Sequence, residues 1–165
     1  MRSWKMILWV FLAALAIIQF FRPARNVAGA SPDGHISKAY AVPADVEAIL
    51  QKACYDCHSN NTVYPWYANI QPVAWWLAAH IKDGKRHLNF DEFLAYPVSR
   101  QYRKLEETAE MVNEGEMPLS SYTIVHTSAK LNVAERKMIS DWCGNIRKEM
   151  QSAYPPDSLI AKKKQ

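Results

Sequence analysis

Residues 45–60 read DVEAILQKACYDCHSN, and the fold follows from the period of this stretch. Val46, Ile49, Leu50 and Ala53 recur at i, i+3, i+4 and i+7 behind Pro43, which suits a first helical position, so the spacing predicts an amphipathic helix. That helix runs directly into Cys54-Tyr55-Asp56-Cys57-His58. The same period recurs downstream. Pro72 opens a second helix with Val73, Trp76, Leu77, His80 and Ile81 on one stripe and Gly84 as its stop. Asn89 with Glu92 reads as a capping box before a short helix ending at Tyr96-Pro97. Ser99 caps a fourth helix, with Tyr102, Leu105, Ala109 and Val112 on one face and Gly115 as its end. Asn132 with Glu135 forms the last capping box, followed by Ile139, Trp142, Cys143, Ile146 and Met150. No stretch carries the alternation of a strand. The expectation is an all-α domain of about five short helices over residues 43–152.

The chain has 165 residues, enough for one ordinary domain with appendages. Apolar residues make up 49%, which excludes wholesale disorder. The net charge of +4 belongs to the ends. Arg2, Lys5, Arg22, Arg25 and the tail Lys162, Lys163 and Lys164 set aside, 13 basic residues face 16 acidic ones between 26 and 161. No basic stripe remains for a phosphate backbone, so nucleic acid is excluded as a partner.

Positions 6–21 read MILWVFLAALAIIQFF, with Gln19 the only polar residue and Lys5 and Arg22 as brackets. As a helix this run is about 24 Å long against a hydrocarbon core of ~30 Å. Snorkelling by Lys5 and Arg22, with Trp4 and Trp9 at one interface, offsets the difference. Residues 1–22 therefore read as a single transmembrane anchor. The alternative is a cleavable signal ending at Ala28-Gly29-Ala30, which lies nine residues beyond Phe21. Either way the remainder is exported: to the periplasmic face of the inner membrane, or free in the periplasm after cleavage. Residues 23–42, with Pro23, Gly29, Ser31, Pro32, Asp33 and Gly34, read as a linker, and 153–165 as a flexible basic tail.

C-x-x-C-H is the motif that carries chemistry. Two thiols at this spacing match the two vinyl groups of haem, and the adjoining His58 then supplies a ring nitrogen to the iron. Structural zinc wants four ligands, and Cys143 is the only other cysteine. A redox dithiol wants a βαβ setting, and a plain disulfide needs no histidine. The surplus of aromatics at Tyr64, Trp66, Tyr67, Trp75 and Trp76 fits a large flat apolar cofactor. Cys143 reads as a small buried residue.

An electron carrier needs a second axial ligand. Met117, followed by Pro118 and just past Gly115, is the first candidate, with His126, His80 and His87 as alternatives. His58 needs an acceptor for its other nitrogen, expected among the carbonyls of Asn69 to Pro72. Tyr64, Trp66 and Tyr122 are candidate donors to haem propionates. Glu106, Glu107, Glu110, Glu114 and Glu116 read as a solvated acidic face or a docking patch for a basic redox partner.

Taken together, Cys54 to Asn60, Tyr64-Pro65-Trp66-Tyr67, Gln71-Pro72, Leu88-Asn89-Phe90, Met117-Pro118-Leu119, Tyr122, His126 and Trp142 resemble the bacterial haem-binding domain family over about residues 40–148. The order C-x-x-C-H, helices, Met-Pro and final helix also resembles cytochrome c more widely. The resemblance implies a cytochrome c-like fold around one covalent haem c, with Cys54 and Cys57 as attachment sites, His58 as proximal ligand and Met117 as distal ligand. The function expected is one-electron transfer to and from redox partner proteins outside the cytoplasmic membrane, by a tethered carrier rather than an enzyme. The alternative is a haem-based sensor or small-ligand binder with a displaceable sixth site.

Overall fold

The computed structural model describes residues 2–29 and 33–160. Ala30, Ser31 and Pro32 of the expected linker, and the lysine tail from residue 161, lie outside the described residues. Everything described is helix, turn or loop, with one isolated bridge between Val27 and Asn61 and no strand among the described residues. The eight α-helices described are α1 (Arg2–Ile18), α2 (Ala44–Ala53), α3 (Tyr55–His58), α4 (Val73–His87), α5 (Val98–Glu114), α6 (Ser120–Thr123), α7 (Val133–Ala153) and α8 (Pro156–Leu159). Short 3-10 turns at Ile36–Lys38, Trp66–Asn69, Phe90–Ala95 and Thr127–Ala129 connect them.

The core forms where α7 lies against α5, with α2 packed on α7. Ile139, Trp142, Cys143, Ile146 and Met150 of α7 are all buried, as the stripe predicts. Each such side chain contributes about 1.5–3 kcal/mol by leaving water. Asn132 and Glu135 close a reciprocal capping box at the start of α7. Gly115, at φ +78°, ends α5 in the left-handed region that glycine enters without a Cβ penalty. The N–H groups of Glu116 and Met117 then both return to the Met111 carbonyl, at 3.0 and 3.1 Å. Backbone hydrogen bonds thus fix the loop that carries Met117 to the end of α5.

Several expected boundaries move. α4 does not stop at Gly84 but runs on to His87, and its buried residues are Ala74, Leu77 and Ile81, with Val73 and Trp76 outside. Pro97, rather than Ser99, caps α5. Asn89 caps its turn through the N–H of Asp91, while Glu92 accepts a hydrogen bond from Asn60 instead. Described residues on both sides of Ala30–Pro32 in the expected linker pack on the domain. Ile36 is fully buried in the core. Asn26 donates to the Ser59 carbonyl and to Thr62, and its own carbonyl accepts from the Thr62 N–H. Likewise α8 lies inside the expected tail and buries Leu159 against the core.

The membrane-crossing helix expected over 6–21 is corrected too. α1 has 17 residues, and among the described residues no helix is long and apolar enough to cross a membrane. It stops at Ile18 because Gln19 turns its amide back to the Leu15 carbonyl and the next N–H groups make tight i to i−3 bonds.

Candidate functional site

α2 ends at Ala53 because Cys54 leaves helical geometry, at φ −125°, and the one-turn α3 restarts from it. The N–H groups of Cys57 and His58 both bond the Cys54 carbonyl, at 3.2 and 2.9 Å, which winds the motif into a single turn. Cys54, Cys57 and His58 open onto a cavity of about 390 Å³, shared with Leu88, Phe90, Val112 and Met117. That volume lies in the range of ligand pockets.

His58 is held from behind. Its Nδ1 lies 2.9 Å from the Leu88 carbonyl, which can only accept, so Nδ1 carries the proton and Nε2 keeps its lone pair. Burial lowers the basicity of the ring, with hydrogen bonds to the Leu88 and Gly84 carbonyls acting the other way, and a neutral imidazole is the form that ligates a metal. The acceptor is not in the Asn69 to Pro72 stretch. There Asn69 accepts from Arg25, and the Gln71 side chain donates to the Phe21 carbonyl. Leu88 serves because α4 continues past Gly84. The neighbouring Asn89 donates to Asn60 Oδ1 at 2.8 Å, and Asp91 accepts from the Asn60 N–H at 2.7 Å. The chain immediately after His58 is therefore locked to the chain immediately after Leu88.

Gly84 makes the close crossing of α4 over α3 possible. A Cβ there would lie 2.7 Å from the Cys57 carbonyl oxygen and 3.1 Å from the Cys57 Cβ. Burial pushes the Cys54 thiol up to about 12 and the Cys57 thiol up to about 11. Thiols so weakly acidic hold almost no thiolate at neutral pH, which argues against a redox dithiol. Cys143, fully buried and also pushed up to about 12 by burial, is a packing residue.

Met117, His80, His87 and Tyr122 also line the cavity. Tyr122 is fixed by donating to Asp56 Oδ2 at 2.7 Å, and Asp56 in turn accepts from the Val63 N–H. Three expected residues stand elsewhere. His126 stacks on Tyr122 and shares a hydrogen bond with Tyr67 through Nε2, away from the cavity. The Tyr64 hydroxyl accepts from the Asn26 N–H, and Trp66 is 76% exposed, so neither faces the cavity. The sequence reading missed Lys104, a buried cation on the cavity wall paired with Glu107. Nothing in its spacing distinguishes it from the other charges of α5. The expected acidic face is partly spent in ion pairs, Glu106 with Arg147 and Glu107 with Arg103 and Lys104.

Among the described residues no group of three or more His, Cys, Asp or Glu is arranged for a bare metal ion. The cavity instead offers a neutral imidazole, a thioether and two thiols on largely apolar walls, a donor set suited to an iron whose remaining ligands come from a macrocycle. The family model for the Haem-binding domain matches residues 13–145 of the chain. No curated protein and no solved structure gives a significant match.

Proposed function

The chain belongs to the haem-binding domain family, and from that premise we propose that it is a tethered monohaem cytochrome c-like electron carrier working outside the cytoplasmic membrane. The observation that carries this reading is the meeting of Cys54, Cys57, His58 and Met117 on one apolar cavity.

In this reading Cys54 and Cys57 would hold the haem through thioethers, each an S–H bond and a vinyl π bond exchanged for a C–S and a C–H bond with no oxidant or reductant consumed. His58 Nε2 and Met117 Sδ would supply ligands to its iron, with His80 as the alternative to Met117. Bound haem supplies a one-electron iron couple, whose potential a thioether ligand raises relative to a second imidazole. The rest is the work of the chain. Leu88 holds the His58 ring in one tautomer. Leu88, Phe90 and Val112 keep water from the cavity wall. Lys104 offers a cation to an acidic edge of the cofactor. The apolar α1 keeps the carrier at the bilayer, where its redox partner proteins are concentrated.

The test uses the full chain produced in a host that matures c-type cytochromes. Haem that stays with the polypeptide in acid–organic solvent supports covalent attachment. An oxidised low-spin spectrum with a sulfur-to-iron charge-transfer band supports Met117. A chain without haem from that host would refute the proposal, and a high-spin spectrum would move the function to ligand sensing.

A further inference from the structure

The tryptophans near residue 70 do not line the cavity, although Trp76 packs on His80. Trp66, Trp75 and Trp76 are 76%, 41% and 46% exposed, with Ile70 and Val73 exposed between them. This face is where α1 meets the domain. Gln19 exchanges hydrogen bonds with the Gln71 backbone, at 2.9 and 3.2 Å. Gln71 Nε2 and Trp75 Nε1 both donate to the Phe21 carbonyl, at 2.8 and 2.9 Å. Arg25 donates to Asn69 at 2.6 Å. The segment that follows α1, Gln19 to Arg25, is thus joined to the face by a set of hydrogen bonds, while the apolar side chains of α1 from Trp4 to Leu12 stand exposed.

Charge singles out the same face. No residue from 1 to 32 or from 57 to 82 is acidic. Arg22 and Arg25 border a recess of about 80 Å³ beside Tyr64, Asn69 and Ala74. Tryptophan beside arginine is the chemistry of a surface meeting anionic headgroups. The 17 residues of α1 are too short to cross a ~30 Å hydrocarbon core, so α1 is read here as entering the bilayer without spanning it.

We propose that Trp66, Ile70, Val73, Trp75 and Trp76 form a membrane foot, seated in the lipid headgroup layer around the point where α1 enters the bilayer. This rests on the reading of α1 as the anchor. The foot gives the domain one orientation. α4 carries Trp75 and Trp76 in its first turns and lines the cavity from His80 to His87, so the tilt of α4 against the bilayer sets the height of the cavity.

The experiment reconstitutes the full haem-loaded chain into vesicles of phosphatidylcholine and phosphatidylglycerol. The vesicles contain a phosphatidylcholine whose diazirine sits near the headgroup. After flotation and irradiation, lipid adducts are mapped by peptide mass spectrometry. Adducts on α1 and on residues 63–76 are expected, with loss of the second set in a chain carrying Trp66→Ser, Trp75→Ser and Trp76→Ser that still floats. Adducts confined to α1 in the unaltered chain would overturn the foot, leave the anchor intact and assign the exposed face to a protein partner. A chain that neither floats nor gains adducts on α1 would overturn the anchor reading itself, and the foot with it.

Discussion

Exchanging glycine for alanine at two helical positions separates backbone propensity from packing at the site. Gly144 lies inside α7, and a Cβ there meets nothing within 4 Å. Gly144→Ala therefore gains the full helix preference of alanine, about 1 kcal/mol, and raises the melting temperature by about 2–4 °C for a chain of this size. Gly84→Ala gains the same propensity in α4. Its Cβ, however, would stand 2.7 Å from the Cys57 carbonyl oxygen, a backbone atom that no rotamer change can move aside. Ordinary contact requires α3 and α4 to separate by roughly half an ångström or more. Overpacking of this kind costs about 1–3 kcal/mol, and because propensity cancels between the two variants, that cost is their whole difference. Gly84→Ala should melt about 2–12 °C below Gly144→Ala when both are loaded identically. The strain also crosses the gap spanned by the bond from His58 Nδ1 to Leu88, so only Gly84→Ala should alter the haem spectrum. Equal melting temperatures and equal spectra for the two variants would refute the tight α3–α4 crossing.

Met117→Ala should turn the oxidised protein from low to high spin and let the reduced protein take up carbon monoxide; an unchanged spectrum would transfer the distal role to His80. Cys54→Ser and Cys57→Ser should each retain haem through acid–organic extraction, whereas the double variant should lose it; retention by the double variant would rule out thioether attachment. The Lys52 ammonium and the Asn132 N–H hold Glu135 below its usual value near 4.5. The folded form is the stronger acid, so the stabilisation is complete well above pH 4.5 and disappears as pH falls through the lowered folded value. Glu135→Gln keeps a capping side chain and loses only the ion pair, so it should cost about 0.2–1 kcal/mol at pH 7 in chemical unfolding, and the cost should shrink steadily as pH falls below 4.5. A difference that does not change with pH would contradict the pair.

What was legible in the sequence was local. The capping box of α7 joins residues three apart, its stripe repeats within four, and Gly115 ends α5 by its own conformational freedom. C-x-x-C-H is equally self-contained, winding into one turn on the Cys54 carbonyl. Gly84 was misread because a missing side chain looks the same whether it stops a helix or admits a neighbour, and the neighbour, Cys57, lies far back in the chain. The Leu88 carbonyl that orients His58 has no sequence signature, since every residue carries a carbonyl. Asn26 and Ile36 tie the expected linker to the domain through partners thirty and more residues away, with no period to announce them.

The aromatic surplus was the instructive misreading. Trp66, Trp75 and Trp76 were set against a flat cofactor because composition records only that these side chains avoid water. Cofactor, core and bilayer each provide that, and a pattern of apolar residues does not say which. Geometry separates them: the cavity is walled by Leu88, Phe90, Val112 and Met117, while the three tryptophans are partly exposed outside that wall, Trp75 bonded to the Phe21 carbonyl and Trp76 packed on His80. Carbonyl bookkeeping points the same way. In the Asn69 to Pro72 stretch the carbonyls of Ile70, Gln71 and Pro72 accept from Ala74, Gln19 and Trp76, and His58 turns to Leu88 instead. The sequence around residue 70 therefore answers to the segment that follows α1, and the sequence around residue 88 answers to the cavity. α4 joins the two, carrying Trp75 near its start and Gly84 against Cys57 toward its end.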